Sequence, residues 1–327
     1  MHRIDLPTSP EANIPVQFDT DGGPADCVHL LGASEIHAVN AAIAAGRPLL
    51  VRGEPGTGKS QLARAAARQL GRAFVQHVID SHSESRDLMW TFDAVKRLAD
   101  AQLAGALRQE AATAQAALAV ENYLHPGPLW WAFDWDDATT QGARVNAVPP
   151  SQRDGGDWRK GCVFLLDEID KAESEVPNGL LEALGSREFT PQGRSTPVRA
   201  TGTPPLVVIT TNEERALPDA FLRRCLVLHL NLPEGETALI EFLMARGAAH
   251  FSAASPGVLR KAAELLCKDR QEAIAAQLMP RPGQAEYLDL LRAVLGLAPG
   301  DPDEQSALLD IVAPFTLKKS AGLGASA

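Results

Sequence analysis

Long apolar runs are missing from this chain: no uncharged stretch exceeds thirteen residues, and the two that reach it, 200–212 and 247–259, carry Pro, Gly or His. A membrane-spanning helix needs about 20 apolar residues, so no membrane insertion is expected. Cysteine is scarce as well. Cys27, Cys162, Cys225 and Cys267 form neither a CxxC pair nor a dense framework, which argues against a disulfide scaffold. The opening residues MHRIDLPTSPEANIP lack a charged-then-apolar signal pattern, and a cytoplasmic location is the expectation. Positive charge is in deficit, with 31 Lys plus Arg against 41 Asp plus Glu and a formal charge of −10. That balance argues against broad attraction to phosphate backbones and leaves room only for a local basic patch. Internal repeats and low-complexity tracts are absent too. What remains, 45% hydrophobic and 22% charged over 327 residues, is the composition of a globular chain long enough for two packed units.

The pattern along the chain is α/β. Residues 1–33 show no sustained period and read as an extended lead-in. Glu35–Ala45 places Ile36, Val39, Ala42 and Ile43 at helical spacing, with Gly46 as the stop. Pro48–Val51 is a strand-length apolar run, followed by a glycine-rich turn and a helix over Lys59–Leu70. Further strands are predicted at Ala73–Ile79, Cys162–Leu166 and Pro205–Thr210, which implies a parallel sheet flanked by helices. The excursion at about 80–160 is too long for a crossover and reads as an insertion, helical over Asp93–Val120 and rich in Pro, Gly and Asp over Pro126–Gly156. Beyond Leu232-Pro233 the pattern is all-helical: Glu236–Arg246, Pro256–Asp269, Arg270–Leu278 and Gln284–Leu295. The expected domains are a core over 34–232 and a small helical domain over 233–316, with a mobile tail at 317–327.

Gly53-Glu-Pro-Gly-Thr-Gly58-Lys59-Ser60 fits GxxxxGK[ST] between a strand and a helix, the context that motif requires. Gly53, Gly56 and Gly58 let consecutive N–H groups face a phosphate. Lys59 neutralises β/γ charge, and the Ser60 hydroxyl is offered to Mg²⁺. The nucleotide-binding segment is taken as Gly53, Glu54, Pro55, Gly56, Thr57, Gly58, Lys59, Ser60 and Gln61. The apolar run Val163-Phe-Leu-Leu delivers Asp167 and Glu168 at its carboxyl end, where Asp167 suits Mg²⁺ and Glu168 suits activation of water. Small-molecule kinases have no need of that glutamate. Thr211-Asn212 ends another strand, so the Asn212 amide either orients the lytic water or is a turn residue. In Leu217-Pro-Asp-Ala-Phe-Leu-Arg223-Arg224-Cys225, Leu217, Ala220 and Phe221 are expected to pack inward. Arg223 and Arg224 end that helix and suit a neighbour's phosphates.

In this order the segments resemble the AAA+ ATPases, and among them the MoxR family of the helix-2-insert group. The resemblance covers residues 34–232: GEPGTGKS, VFLLDEIDKA, a hairpin-like region around Arg187–Ala200, TTN and LPDAFLRRC. The segment 233–300 looks like the lid domain, with Met279-Pro280-Arg281-Pro282-Gly283 where a sensor 2 arginine opens a lid helix. Two departures are visible: the insertion is larger than the usual one, and Cys225 stands where phenylalanine commonly follows the finger arginine. The resemblance implies ATP and Mg²⁺ as ligands, Lys59 and Ser60 on the phosphates and metal, Asp167 on the metal, Glu168 as water activator and Asn212 as sensor 1. Arg224 aligns with the arginine finger and Arg223 is the runner-up, while Arg281 would report the γ-phosphate. It further implies a homo-oligomeric ring, a hexamer, acting as a chaperone or regulator on a protein client. Such a client is expected to involve a separate von Willebrand factor A protein, since Asp80-Ser-His-Ser breaks the DxSxS metal motif here.

Other signals point to packing. Trp130, Trp131, Phe133 and Trp135 read as the insertion's core ahead of a partner grip, and Asp134, Asp136 and Asp137 beside them oppose stacking of nucleic-acid bases. His77 and His82 lack zinc spacing and read as structural or solvated. Arg187, Arg194 and Arg199 suit a solvated loop face ahead of DNA contact. The expected function is ATP hydrolysis coupled to remodelling or assembly of a protein complex. The alternative is a nucleic-acid-directed motor or loader, or a slow nucleotide-gated switch.

Overall fold

The computed structural model describes residues 3–6, 13–18, 28–173 and 175–318. The first elements are strands β1 (Ile14–Gln17) and β2 (Val28–Leu31), paired antiparallel, and helix α1 (Ala33–Ala45), which buries Ile36, Val39 and Ala42. Strand β3 (Leu49–Arg52), helix α2 (Lys59–Leu70) and strand β4 (Arg72–Val78) follow in the order that the apolar run, the glycine turn and the Ala-rich stretch dictate. The insertion holds β5 (Trp90–Phe92), α3 (Ala94–Ala106), α4 (Ala111–Ala117), β6 (Leu124–Pro126), α5 (Pro128–Phe133) and α6 (Trp135–Val145). Next come β7 (Asp157–Asp167), α7 (Glu175–Ser186), the antiparallel pair β8 (Glu188–Phe189) and β9 (Val198–Arg199), β10 (Leu206–Thr211), α8 (Asp219–Leu222) and β11 (Leu226–His229). Four helices follow among the described residues: α9 (Glu236–His250), α10 (Pro256–Ala275), α11 (Gln284–Leu297) and α12 (Pro302–Thr316).

The described residues fall into two units. One comprises those within Met1–Leu6, Ser34–Arg52 and Ala63–Leu228; the other those within Pro7–Ala33, Gly53–Leu62 and His229–Ala327. The division cuts across the expected one: strands β1 and β2 of the lead-in and the glycine loop group with the helical segment, not with the sheet.

The first unit is built on a five-stranded parallel sheet in the order β11-β3-β10-β7-β4. Its strands are near-continuous apolar runs because helices cover both faces; Val163 to Leu166 and Leu206 to Ile209 are all buried. Register sets the chemistry at the carboxyl edge. Arg52 lies opposite Thr211, Ile209 opposite Leu166 and Val78 opposite Asp167, so β3, β10, β7 and β4 end at one level. Strand β11 was not expected from the sequence. Only four residues long after two arginines, it joins β3 at the sheet margin, and Leu226 donates its N–H to the Pro48 carbonyl.

Pro126–Gly156 is more helical than its Pro, Gly and Asp content predicts, because those residues cap helices there. Gly127 and Pro128 start α5, the Asp134 side chain accepts the Asp137 N–H to start α6, and Asn146 ends it in the left-handed conformation at φ 55°. Trp130, Trp131, Phe133 and Trp135 are buried in the same core as the sheet residues Val75 and Phe164, as the packing reading expected. The Trp130 indole N–H donates to Asp137, and Trp131 meets Trp135 edge-on.

In the second unit, α9 to α12 share a core of Leu243, Leu259, Leu266, Tyr287, Leu291 and Leu309. The two helices expected over Pro256–Asp269 and Arg270–Leu278 are one, α10, because no breaker separates them. Of the tail expected at 317–327, Leu317 caps α12 and is buried in this core, and 319–327 lie outside the described residues; among the described residues no helix is long and apolar enough to cross a membrane.

Candidate functional site

The glycine loop follows β3 and runs into the first turn of α2, so Gly53–Gln61 ends with N–H groups of a helix start, the setting that favours an anion. Two glycines are required there. Gly53 has φ 151°, and a Cβ on it would lie 2.3 Å from the Leu230 carbonyl oxygen; Gly56 has φ 75°, and a Cβ would lie 2.8 Å from that of Ala285. The Lys59 side chain is folded over its own loop, its ammonium donating to the carbonyls of Gly53 at 2.8 Å and Glu54 at 2.9 Å. The Thr57 hydroxyl donates to the Glu54 carbonyl, and the Gln61 side-chain oxygen is buried without a hydrogen-bond partner. Glu54 faces the helical segment of the same unit: Arg270 holds its carboxylate at 2.6 Å and Arg281 stands 3.8 Å away. Ser60 is the second residue of α2, and Pro55 precedes Gly56 at the turn that meets the start of α11.

The first unit carries the acidic pair. Asp167 ends β7, and Glu168 leaves the strand in the left-handed conformation at φ 61°. Thr210, on the neighbouring strand β10, donates its hydroxyl to Asp167 and accepts the Glu168 N–H at 2.9 Å. The Glu168 carboxylate takes the Lys171 ammonium at 2.5 Å, and that pairing raises the lysine pKa. Asn212 follows β10 directly. Its N–H donates to the buried Asp170 carboxylate at 3.1 Å, and the Glu214 N–H donates to the same oxygen at 3.0 Å. Arg52, opposite Thr211, pairs with Glu213 at 2.6 Å. Asp167, Glu168 and Asn212 thus lie at one edge of the sheet, held by Thr210 and Asp170.

Arg223 and Arg224 are exposed at the end of α8. Arg47 caps that end, its guanidinium donating to the carbonyls of both Arg223 and Arg224. The expected inward stripe holds for Phe221, which is buried, and for Leu217, which packs on the core. It fails at Ala220, which is exposed, because α8 is a single turn and presents only one face to the sheet.

Thr210, Asp170, Arg47 and Arg270 were not singled out from the sequence. Thr210 and Asp170 had a signal, since both sit inside the TTN and DEID segments that carry Asn212 and Asp167. Arg47 and Arg270 had none, because each reaches its partner across more than a hundred residues of chain.

Comparison with known proteins gives three results. The AAA domain (dynein-related subfamily) matches residues 48–225. Among curated proteins none matches the sequence. Similar solved structures include the RuvB Holliday junction branch migration motor of Thermotoga maritima, at 15% identity and TM-score 0.42 over 85% of this chain and 67% of that one. They also include a protein of Cytophaga hutchinsonii assigned as an ATPase, at 14% and 0.38 over 86% and 79%. NtrX of Brucella abortus in complex with ATP follows at 16% and 0.41, over 85% and 55%.

Proposed function

This chain belongs to the AAA domain family, dynein-related subfamily, and is an AAA+ ATPase; from that premise we propose that it couples ATP hydrolysis to remodelling or assembly of a partner protein complex, working as a homo-oligomeric ring of the MoxR type. In this reading Gly53–Gln61 binds the nucleotide phosphates, with Lys59 moving from the loop carbonyls to β/γ oxygens. Ser60 and Asp167 offer a hydroxyl and a carboxylate oxygen, the hard-donor set that suits Mg²⁺, whose chemistry is to draw charge from the phosphate oxygens. Glu168 takes a proton from the attacking water, and Asn212 orients that water. Arg224, with Arg223 as the other candidate, serves the neighbouring subunit's γ-phosphate, whereas Arg281, in the helical segment, contacts the γ-phosphate of the nucleotide held by its own loop.

The observation that favours a protein client is the character of the insertion and the hairpin. Helix α3 exposes Val95 at 81% and Leu98 at 61%, with Leu103 and Leu107 exposed beyond them, whereas α4 buries nothing. Exposed apolar side chains gathered on one element mark protein contact. The arginines that could grip a phosphate backbone are already engaged: Arg194 makes two hydrogen bonds to Asp137, Arg199 pairs with Glu188, and Arg187 donates to the Gly46 carbonyl. A von Willebrand factor A protein is the partner that the resemblance proposes. The test is the ATPase rate with and without duplex or single-stranded DNA at several salt concentrations, beside capture of clients by the ATP-bound Glu168→Gln protein. Stimulation by DNA that falls with salt would overturn the protein-client reading; DNA-independent turnover with ATP-dependent capture of a defined complex supports it.

A further inference from the structure

The Glu54 carboxylate lies within the loop assigned to polyphosphate, where another negative charge opposes the ligand. Its two oxygens meet two arginines of the same unit, and they are held differently. Arg270, on α10 and only 13% exposed, binds one oxygen at 2.6 Å and gives its other terminal nitrogen to the Pro282 carbonyl at 3.0 Å. Arg281 stands 3.8 Å from the second oxygen, beyond hydrogen-bond reach, and its Nε is buried without a partner. One arginine is committed to the loop. The other is only drawn towards it.

We propose that Arg270 is a positioning residue: by neutralising Glu54 it keeps that carboxylate from capturing Arg281, and so leaves Arg281 available to the terminal phosphate of the nucleotide. The proposal rests on the reading of Gly53–Gln61 as the phosphate loop. Packing narrows the alternatives open to Arg281. Gly56 leaves no room for a Cβ against Ala285, and a Cβ on Gly283 would contact Leu232 and the Pro55 carbonyl, so the segment from Arg281 to Ala285 stays beside Glu54. Without Arg270, the nearest guanidinium left to a bare Glu54 carboxylate is that of Arg281, and a bidentate pair would tie it up. Loss of Arg270 is then loss of Arg281 by another route.

Four proteins test this: wild type, Arg270→Met, Glu54→Gln and the double variant, each measured for ATP turnover, for binding of a fluorescent ADP and for melting temperature without nucleotide. Arg270→Met is expected to lower kcat at least about tenfold with a smaller change in KM, and the double variant to recover to within about threefold of Glu54→Gln. A double variant as slow as Arg270→Met would show that Arg270 acts only through Pro282 and packing, and would overturn the proposal. Without nucleotide, the two single losses in melting temperature should fail to add; additive losses would overturn the Glu54–Arg270 pair whatever the turnover. Wild type that binds no nucleotide would overturn the phosphate-loop reading, and the positioning role with it, an outcome the binding arm separates from failure of the pair.

Discussion

Thr210 donates its hydroxyl to the Asp167 carboxylate, and the same oxygen accepts the N–H of Glu168. One buried side chain on β10 therefore orients both acidic residues at the end of β7, and it supports a glutamate held at φ 61°, a conformation that non-glycine residues adopt at a cost of about 1–2 kcal/mol. Thr210→Val keeps the volume and removes both hydrogen bonds. It should destabilise the fold by about 1–3 kcal/mol through the unpaired groups, and lower ATP turnover at least tenfold, to about a tenth or less, while nucleotide affinity stays near wild type. Denaturant titration and steady-state ATPase assays check the two parts separately.

Much of the glycine loop, and much of the acidic edge, was legible because the residues of each motif are consecutive. Glycines at fixed spacing, an apolar run that ends in Asp167-Glu168 and one that ends before Asn212 each report a strand and what it delivers, since a buried parallel strand must be apolar until it leaves the sheet. The sheet followed from the same runs, except for β11, whose four residues are too few for a periodic signal. Hidden from the sequence were contacts that depend on register and on distant chain. Thr210 matters because Ile209 lies opposite Leu166, and Arg270 matters because α10 carries it to Glu54. The helices α5 and α6 were missed for a different reason: Gly127, Pro128 and Asp134 read as breakers along a sequence, but at a helix start they are caps.

In the proposed reading, Lys59 serves binding and Glu168 serves chemistry, and two variants separate them. Lys59→Ala removes the ammonium that would meet β/γ charge, so ATP affinity should be lost, as read by calorimetry; unaltered affinity would remove the loop from the mechanism. Glu168→Gln keeps the shape of the side chain and loses its basicity. That variant should bind ATP with Mg²⁺ and scarcely turn it over, and light scattering should show a larger assembly when ATP is present.

His77 gives the fold a pH dependence. Burial lowers its pKa, an effect that Asp80 and Asp87 only partly offset, and its Nε2 is buried without a partner. The folded state therefore binds protons less readily than the unfolded one at this position. The resulting stability is fully present above the unfolded imidazole value of about 6.5 and is lost as pH falls through it towards the lower folded value. His77→Gln should shrink the drop in urea midpoint between pH 7.5 and pH 5.5, conditions chosen to lie about 1 unit either side of that value. An unchanged drop would assign the pH dependence to other groups.

The ring itself is tested at Arg224. An arginine finger contributes about 10³–10⁵ in rate, about 4–7 kcal/mol, whereas an exposed surface arginine is worth less than about 1 kcal/mol, so the two roles differ by orders of magnitude. Arg224→Ala should keep ATP affinity and lose hydrolysis. Mixing it with Lys59→Ala protein should restore part of the activity, because some interfaces then join the sound phosphate loop of one subunit to the sound arginine of the next. Arg47 refines the test, since its guanidinium caps the carbonyls of Arg223 and Arg224 and so braces the backbone at the end of α8 that carries both. Arg47→Ala should reduce turnover by a smaller factor than Arg224→Ala, again without loss of affinity. Normal hydrolysis by Arg224→Ala with loss in Arg223→Ala would move the finger one residue earlier. Normal hydrolysis by both, as monomers, would replace the ring with a subunit that completes its own site.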